Sequence, residues 1–122
     1  MPIDPERGDL ERFFAKDDRR PFVLVQLLRF AEGGRDKYLQ YSASVQRITR
    51  SLGAQVLYAG ECVDPLLAPS GQAWDAVVVV RYPNRAAYGK LQEDPAYQTI
   101  VHLRQEALRD AMLLPMDDWP GR

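Results

Sequence analysis

The chain has 122 residues, 46% hydrophobic and 27% charged, the balance of one ordinary globular domain that can bury a core without disulfide or metal staples. A formal net charge of −1 gives no electrostatic footing for nucleic acid or an anionic membrane, so neither is expected as a partner. A single cysteine, Cys62, and a single histidine, His102, exclude an intrachain disulfide and fall short of the usual zinc spacings; neither a metal nor a cofactor is expected.

The first twenty residues are polar and highly charged. They lack the basic start and apolar run of a signal peptide, which points to a reducing, cytoplasmic setting. Pro5 to Lys16 is read as a short helix with Asp4 as its cap, Pro5 at its first position and Leu10, Phe13 and Phe14 on its apolar side. Residues 1–20 are therefore expected to form an arm laid on a domain of residues 21–122. Phe22 to Phe30 is too short and too rich in valine, leucine and phenylalanine for a solitary helix, and reads as a strand. After a Gly33-Gly34 turn, Tyr38, Tyr41, Val45, Ile48 and Leu52 recur at helical spacing within a helix from Asp36 to Leu52, and Gly53 suits the left-handed position beyond its end. Ala54 to Val63 is a second strand. Asp64 to Gln72 is a loop punctuated by Pro65, Pro69 and Gly71. Trp74 to Tyr82 is a third strand, apolar on both faces between Ala76 and Val80.

Asn84 caps a helix from Arg85 to about Gln92, and Asp94-Pro95 opens another, lined on one side by Tyr97, Ile100, Val101, Arg104, Ala107 and Leu108. Ala111 to Met116 is the last strand. The order strand, helix, strand, strand, helix, strand is the split βαβ or ferredoxin-like motif, an α+β fold with both helical layers on one face of a four-stranded antiparallel sheet. The strands at Phe22 and Ala76 carry large apolar side chains in both registers, so the second face is left uncovered in a monomer, and a homodimer is expected to bury it.

Several segments carry a resemblance in order and spacing: Phe22 to Leu28, the helix with Tyr38 and Tyr41, Leu52 to Gly60, Trp74 to Pro83, and Asp94-Pro95-Ala96-Tyr97 followed by Arg104. Together they resemble the dimeric α+β barrel superfamily, and within it the domain-of-unknown-function family numbered thirteen-thirty, with NIPSNAP-like relatives. The resemblance spans roughly Phe22 to Met116 and leaves out the arm. It implies a dimer whose two sheets close into a barrel-like core, and a small pocket in each subunit between sheet and helices. The superfamily includes cofactor-free monooxygenases, haem-handling enzymes, muconolactone-isomerase-like proteins and proteins of no known activity, so the fold does not set the chemistry.

Arg104 is the most informative residue for function. Its stripe points it inward, and a buried guanidinium needs a partner, with Asp75 and Glu61 as candidates. Either it clamps an anion or carboxylate at a pocket, or it ties helix to sheet as a structural ion pair. Among Tyr38, Tyr41, Tyr58, Tyr82 and Tyr97, which serve core and pocket wall alike, Tyr41 and Tyr97 are the candidates for a ligand site. Gln26 interrupts the apolar first strand and either meets a ligand or a dimer mate or faces water. The ligand-site residues expected are thus Arg104, Tyr41, Tyr97, Gln26 and Asp75. His102 falls away from the Arg104 stripe and faces solvent. Cys62 is expected as a small buried hydrophobe. No acidic pair has the spacing of a metal or glycosidase site, and the glycine-rich phosphate loop and the Gly-x-Ser-x-Gly elbow are absent. Three readings stay open: a dimer that binds a small apolar or carboxylate-bearing molecule, a cofactor-free enzyme of the monooxygenase or isomerase type, and a purely structural or interaction module.

Overall fold

A computed structural model describes residues 3–120 of the chain. The elements run α1 (Arg7–Ala15), β1 (Phe22–Phe30), α2 (Gly34–Ser51), β2 (Gln55–Glu61), β3 (Ala76–Tyr82), α3 (Arg85–Glu93), α4 (Pro95–Ala107) and β4 (Leu108–Met116). The four strands form one sheet in the order β2-β3-β1-β4, with each neighbouring pair antiparallel. This is the expected ferredoxin-like α+β arrangement. Among the described residues no helix is long and apolar enough to cross a membrane.

Register divides the sheet into two faces. Phe22 pairs with Tyr82, Leu24 with Val80 and Pro115, Gln26 with Val78 and Leu113, and Leu28 with Ala76 and Ala111. These side chains lie under the helices, and Leu28 at 0% exposure is the centre of the core. The alternate residues Val23, Val25 and Leu27 sit beside Val77, Val79, Met112, Leu114 and Met116 on the face that no helix covers. Pro115 lies in edge strand β4, where the missing N–H costs no ladder bond.

Local chemistry sets the helix ends. The Asn84 side chain accepts from the Ala87 N–H at 2.9 Å and the Asp94 side chain from the Ala96 N–H at 2.8 Å, with Pro95 opening α4 as expected. Helix α2 begins already at Gly34, because Gly33 takes a left-handed conformation (φ 69°) and Gly34 lies against the end of α4, where a Cβ would come within 2.1 Å of the Ala107 carbonyl oxygen. Leu108 was expected on the helical stripe but opens β4: its backbone turns extended (φ −111°, ψ 139°) and pairs with Phe30 across a bulge.

The arm helix α1 starts after Glu6, whose N–H donates to the Asp9 carboxylate at 2.9 Å, and Asp4 does not cap it. Phe13 packs edge-on against Phe22 (5.3 Å between centroids) and Tyr88 (5.6 Å), with the Arg85 guanidinium 4.5 Å from its ring centre. Cys62 is exposed, contrary to expectation. It falls just past β2, an edge strand with almost no covered residue, at the start of a loop in which Val63, Leu66 and Leu67 are also exposed.

Candidate functional site

Helices α2, α3 and α4 hold a cluster of tyrosines over the helix-facing side of the sheet. Tyr38 and Tyr41 come from α2, Tyr88 from α3 and Tyr97 from α4, and all four are buried. The Tyr41 hydroxyl donates to the Tyr97 hydroxyl at 3.3 Å, and the Tyr38 and Tyr41 rings lie 5.4 Å apart. A small cavity of about 50 Å³ remains among them, lined also by Gln26, Leu24, Val78 and Arg104. That volume suits one or two water molecules.

Arg104 enters this cavity from α4 and is 3% exposed. Neither Asp75 nor Glu61, the partners its sequence position suggests, reaches it. Its Nη1 donates to Asp4, at the start of the arm, and the second Asp4 oxygen accepts from Gln105 Nε2 at 3.0 Å. Two consecutive α4 side chains therefore grip one carboxylate by both oxygens. Arg104 Nη2 is buried without a hydrogen-bond partner among the described residues. Such a group is costly unless something fills its remaining valence. Glu61 instead pairs with Arg35 at 2.6 Å, which lowers the Glu61 carboxyl pKa and raises that of the guanidinium. Asp75 precedes β3 and does not line the cavity; its carboxylate accepts from the Phe30 N–H at 2.8 Å and so serves the sheet backbone.

Burial dominates the electrostatics of the cluster. It pushes Tyr38 up to about 12 and drives Tyr41 well above the usual phenol range, with the adjoining Tyr97 adding to the Tyr41 shift. Tyr97 and Tyr88 are raised for the same first reason, and the Arg104 charge pulls against it in all four. At neutral pH the cluster is thus a set of neutral hydroxyls around one cation. Asp4 is the sole carboxylate lining the cavity among the described residues.

Arg104, Tyr41 and Tyr97 line one cavity, in keeping with their helical spacing, and Gln26, whose side the sequence left open, faces the helix side rather than the open face. Tyr58, at 61% exposure, lies on the open side of β2 beside Val79 and takes no part. His102 is exposed on α4. Tyr88 and Asp4 were missed. Tyr88 stands three residues before buried Leu91, an ordinary helical core signal, while nothing local links Asp4 to an arginine 100 residues away.

A family model described as a domain of unknown function (DUF1330) matches residues 28–116. The chain belongs to this family. The DUF1330 match covers the tyrosine cluster and Arg104 and leaves Asp4 and the arm outside it. A protein of unknown function from Rhodopseudomonas palustris is 27% identical over 96% of each chain, with a TM-score of 0.86, so the likeness there extends across the arm. A dimeric ferredoxin-like protein of unknown function from Jannaschia sp. CCS1 is 11% identical, with a TM-score of 0.62 over 80% of this chain and 99% of that one. A NIPSNAP family protein of unknown function from Agrobacterium tumefaciens is 15% identical, with a TM-score of 0.60 over 81% of this chain and 88% of that one. The last two likenesses concern the fold alone. None of the curated proteins matches this chain.

Proposed function

We propose that the protein is a homodimer that binds a small carboxylate-bearing molecule at Arg104, its acid group at the small inner cavity and its apolar body in the larger space beyond Asp4. The observation that carries this reading is a buried guanidinium with one free nitrogen, set among neutral tyrosine hydroxyls in a cavity between sheet and helices. A fixed, planar donor in a low-dielectric setting favours a carboxylate over its neutral amide. The dimer part rests on the uncovered apolar face of β1, β3 and β4, which a second copy would bury. At the end of that face Asp110 pairs with Arg29 at 2.7 Å, and its Oδ1 is buried without a hydrogen-bond partner among the described residues. The Jannaschia protein of similar fold is described as dimeric.

The enzyme reading has less support. A general base would have to come from neutral, high-pKa tyrosines or from an Asp4 already gripped by two donors. The test is a thermal-shift and native mass-spectrometry titration with benzoate and hexanoate against benzamide and hexanamide. The acids should stabilise the wild-type dimer and the amides should not, with the effect lost in Arg104→Gln and weakened in Arg104→Lys, which keeps the charge but not the fork. Equal response to acid and amide, or an unchanged response in a folded Arg104→Gln protein, would sink the ligand reading.

A further inference from the structure

Asp4 is a wall shared by two spaces. It lines the small inner cavity and also a groove of about 310 Å³ between the arm and strands β1 and β4. Leu24, Tyr88 and Leu113 line both spaces as well, so the two are separated by little more than the Asp4 side chain and its neighbours. The groove is walled by Leu10 and Phe13 of the arm and by Ala111 and Pro115 of β4. Its volume falls at the lower end for a small-molecule pocket, whereas the inner cavity alone is too small for anything larger than water.

We propose that Ile3-Asp4 is a built-in stand-in for the ligand, and that its displacement joins cavity and groove into one site for a monocarboxylic acid with a short aliphatic or aromatic tail. This rests on the carboxylate reading of Arg104 given above. Arg104 Nη1 and Gln105 Nε2 already form a carboxylate receptor, and its present occupant is a carboxylate of the same chain. Ile3, immediately before it, is a half-buried apolar side chain packed against the core cluster of Leu28, Tyr41 and Tyr97. An apolar group next to a carboxylate is the chemistry of the ligand in miniature. The pair is also asymmetric: the Asp4 side chain is 34% exposed and the Arg104 side chain 4%. The acid can leave into water while the guanidinium cannot follow. No helix holds Asp4, because α1 begins only after Glu6, and the arm keeps its own anchor in the Phe13 contacts with Phe22 and Tyr88. An incoming acid takes both donors and reaches the free Nη2. Its tail takes the place of Ile3 or runs along the groove beside Leu10 and Leu113. Binding is then weakened by the fraction of time that Asp4 occupies the receptor.

The experiment is calorimetric titration of hexanoate and hexanamide into the intact wild-type, Asp4→Asn and Arg104→Gln proteins, with amide hydrogen exchange followed across residues 3–15. Asparagine keeps the shape and removes the competing charge, so Asp4→Asn should bind hexanoate about tenfold or more tightly than wild type. Hexanoate should also speed exchange in the wild-type arm. Equal binding by wild type and Asp4→Asn, lost in Arg104→Gln, overturns the stand-in and leaves the carboxylate site intact. Tighter binding without any change in arm exchange means that Asp4 acts from its place by charge, and displacement is wrong. No binding to wild type or to Asp4→Asn removes both the site and the stand-in.

Discussion

On β1, Phe22, Leu24 and Leu28 are buried under the helices, whereas Val23, Val25 and Leu27, which alternate with them, stay partly exposed on the opposite face. Both faces also carry an arginine–aspartate pair that leaves one buried polar atom without a partner among the described residues. On the helix side that atom is a donor, Arg104 Nη2, on a residue that lines a cavity. On the open side it is an acceptor, Asp110 Oδ1, and it lies at the end of an apolar sheet surface. The difference teaches what each side lacks. An inward donor on a residue that lines a cavity asks for a small anion, and a broad apolar face asks for another surface.

The largest contrast between the faces should come from pH. Tyr38, Tyr41, Tyr82, Tyr88 and Tyr97 are all buried on the helix side, and burial raises the pKa of each. The unfolded chain loses its phenol protons near the ordinary value of 10.0 while folded Tyr38 holds its proton to about 12. Above the unfolded value the native state therefore binds more protons, and stability falls as pH rises. The tyrosine contribution should be complete below 10.0 and be lost as pH climbs toward 12. Far-ultraviolet circular dichroism and tyrosinate absorbance should change together in one cooperative step. Tyrosinate forming in a protein of native ellipticity would show that burial does not hold these protons.

Next in size is the core. Leu28→Ala removes a side chain with 0% exposure from the meeting point of β1, β3 and β4 and should cost about 2–5 kcal/mol in urea unfolding. Leu27→Ala, one residue away on the open face, should cost the isolated subunit about 1 kcal/mol or less. Equal losses would mean that the two faces are equally packed within one chain.

That alternation was readable from the residues, since a strand apolar in both registers announces two buried faces. So were the helix starts at Asn84 and Asp94-Pro95, because a cap needs only its own neighbours. The convergence of Tyr41, Tyr97 and Arg104 followed from helical spacing. What escaped was whatever depends on distant partners or on missing cover. Asp4 looked like a cap because it stands just before Pro5, yet its carboxylate goes to Arg104, whose expected partners Asp75 and Glu61 are held by Phe30 and Arg35. Cys62 was expected inside because a free cysteine is usually a small buried hydrophobe, but it falls just past β2, an edge strand whose residues are almost all exposed.

A smaller effect should isolate the tyrosine pair. Tyr41→Phe keeps the ring and deletes the hydroxyl that donates to Tyr97, so it should cost about 0.5–1.5 kcal/mol by urea unfolding. A loss of several kcal/mol would mean that the hydroxyl holds more of the cluster together than its one bond to Tyr97.

The smallest effect on the fold should come from the open face, where the effect on assembly should be complete. Val79 lies mid-strand in β3, between Val25 and Tyr58, on the uncovered side. In a lone subunit a lysine there keeps its ammonium in water and its stem along the apolar surface, so Val79→Lys should change subunit stability by only about 0.5 kcal/mol. In a dimer closed over this face the same ammonium meets apolar surface from the second copy without a counter-ion, and the pair should not form. Light scattering after size exclusion should then give a monomer with wild-type circular dichroism, where the parent chain gives a dimer. A Val79→Lys protein that remains dimeric would place the contact elsewhere and leave the open face of β1, β3 and β4 without its second copy.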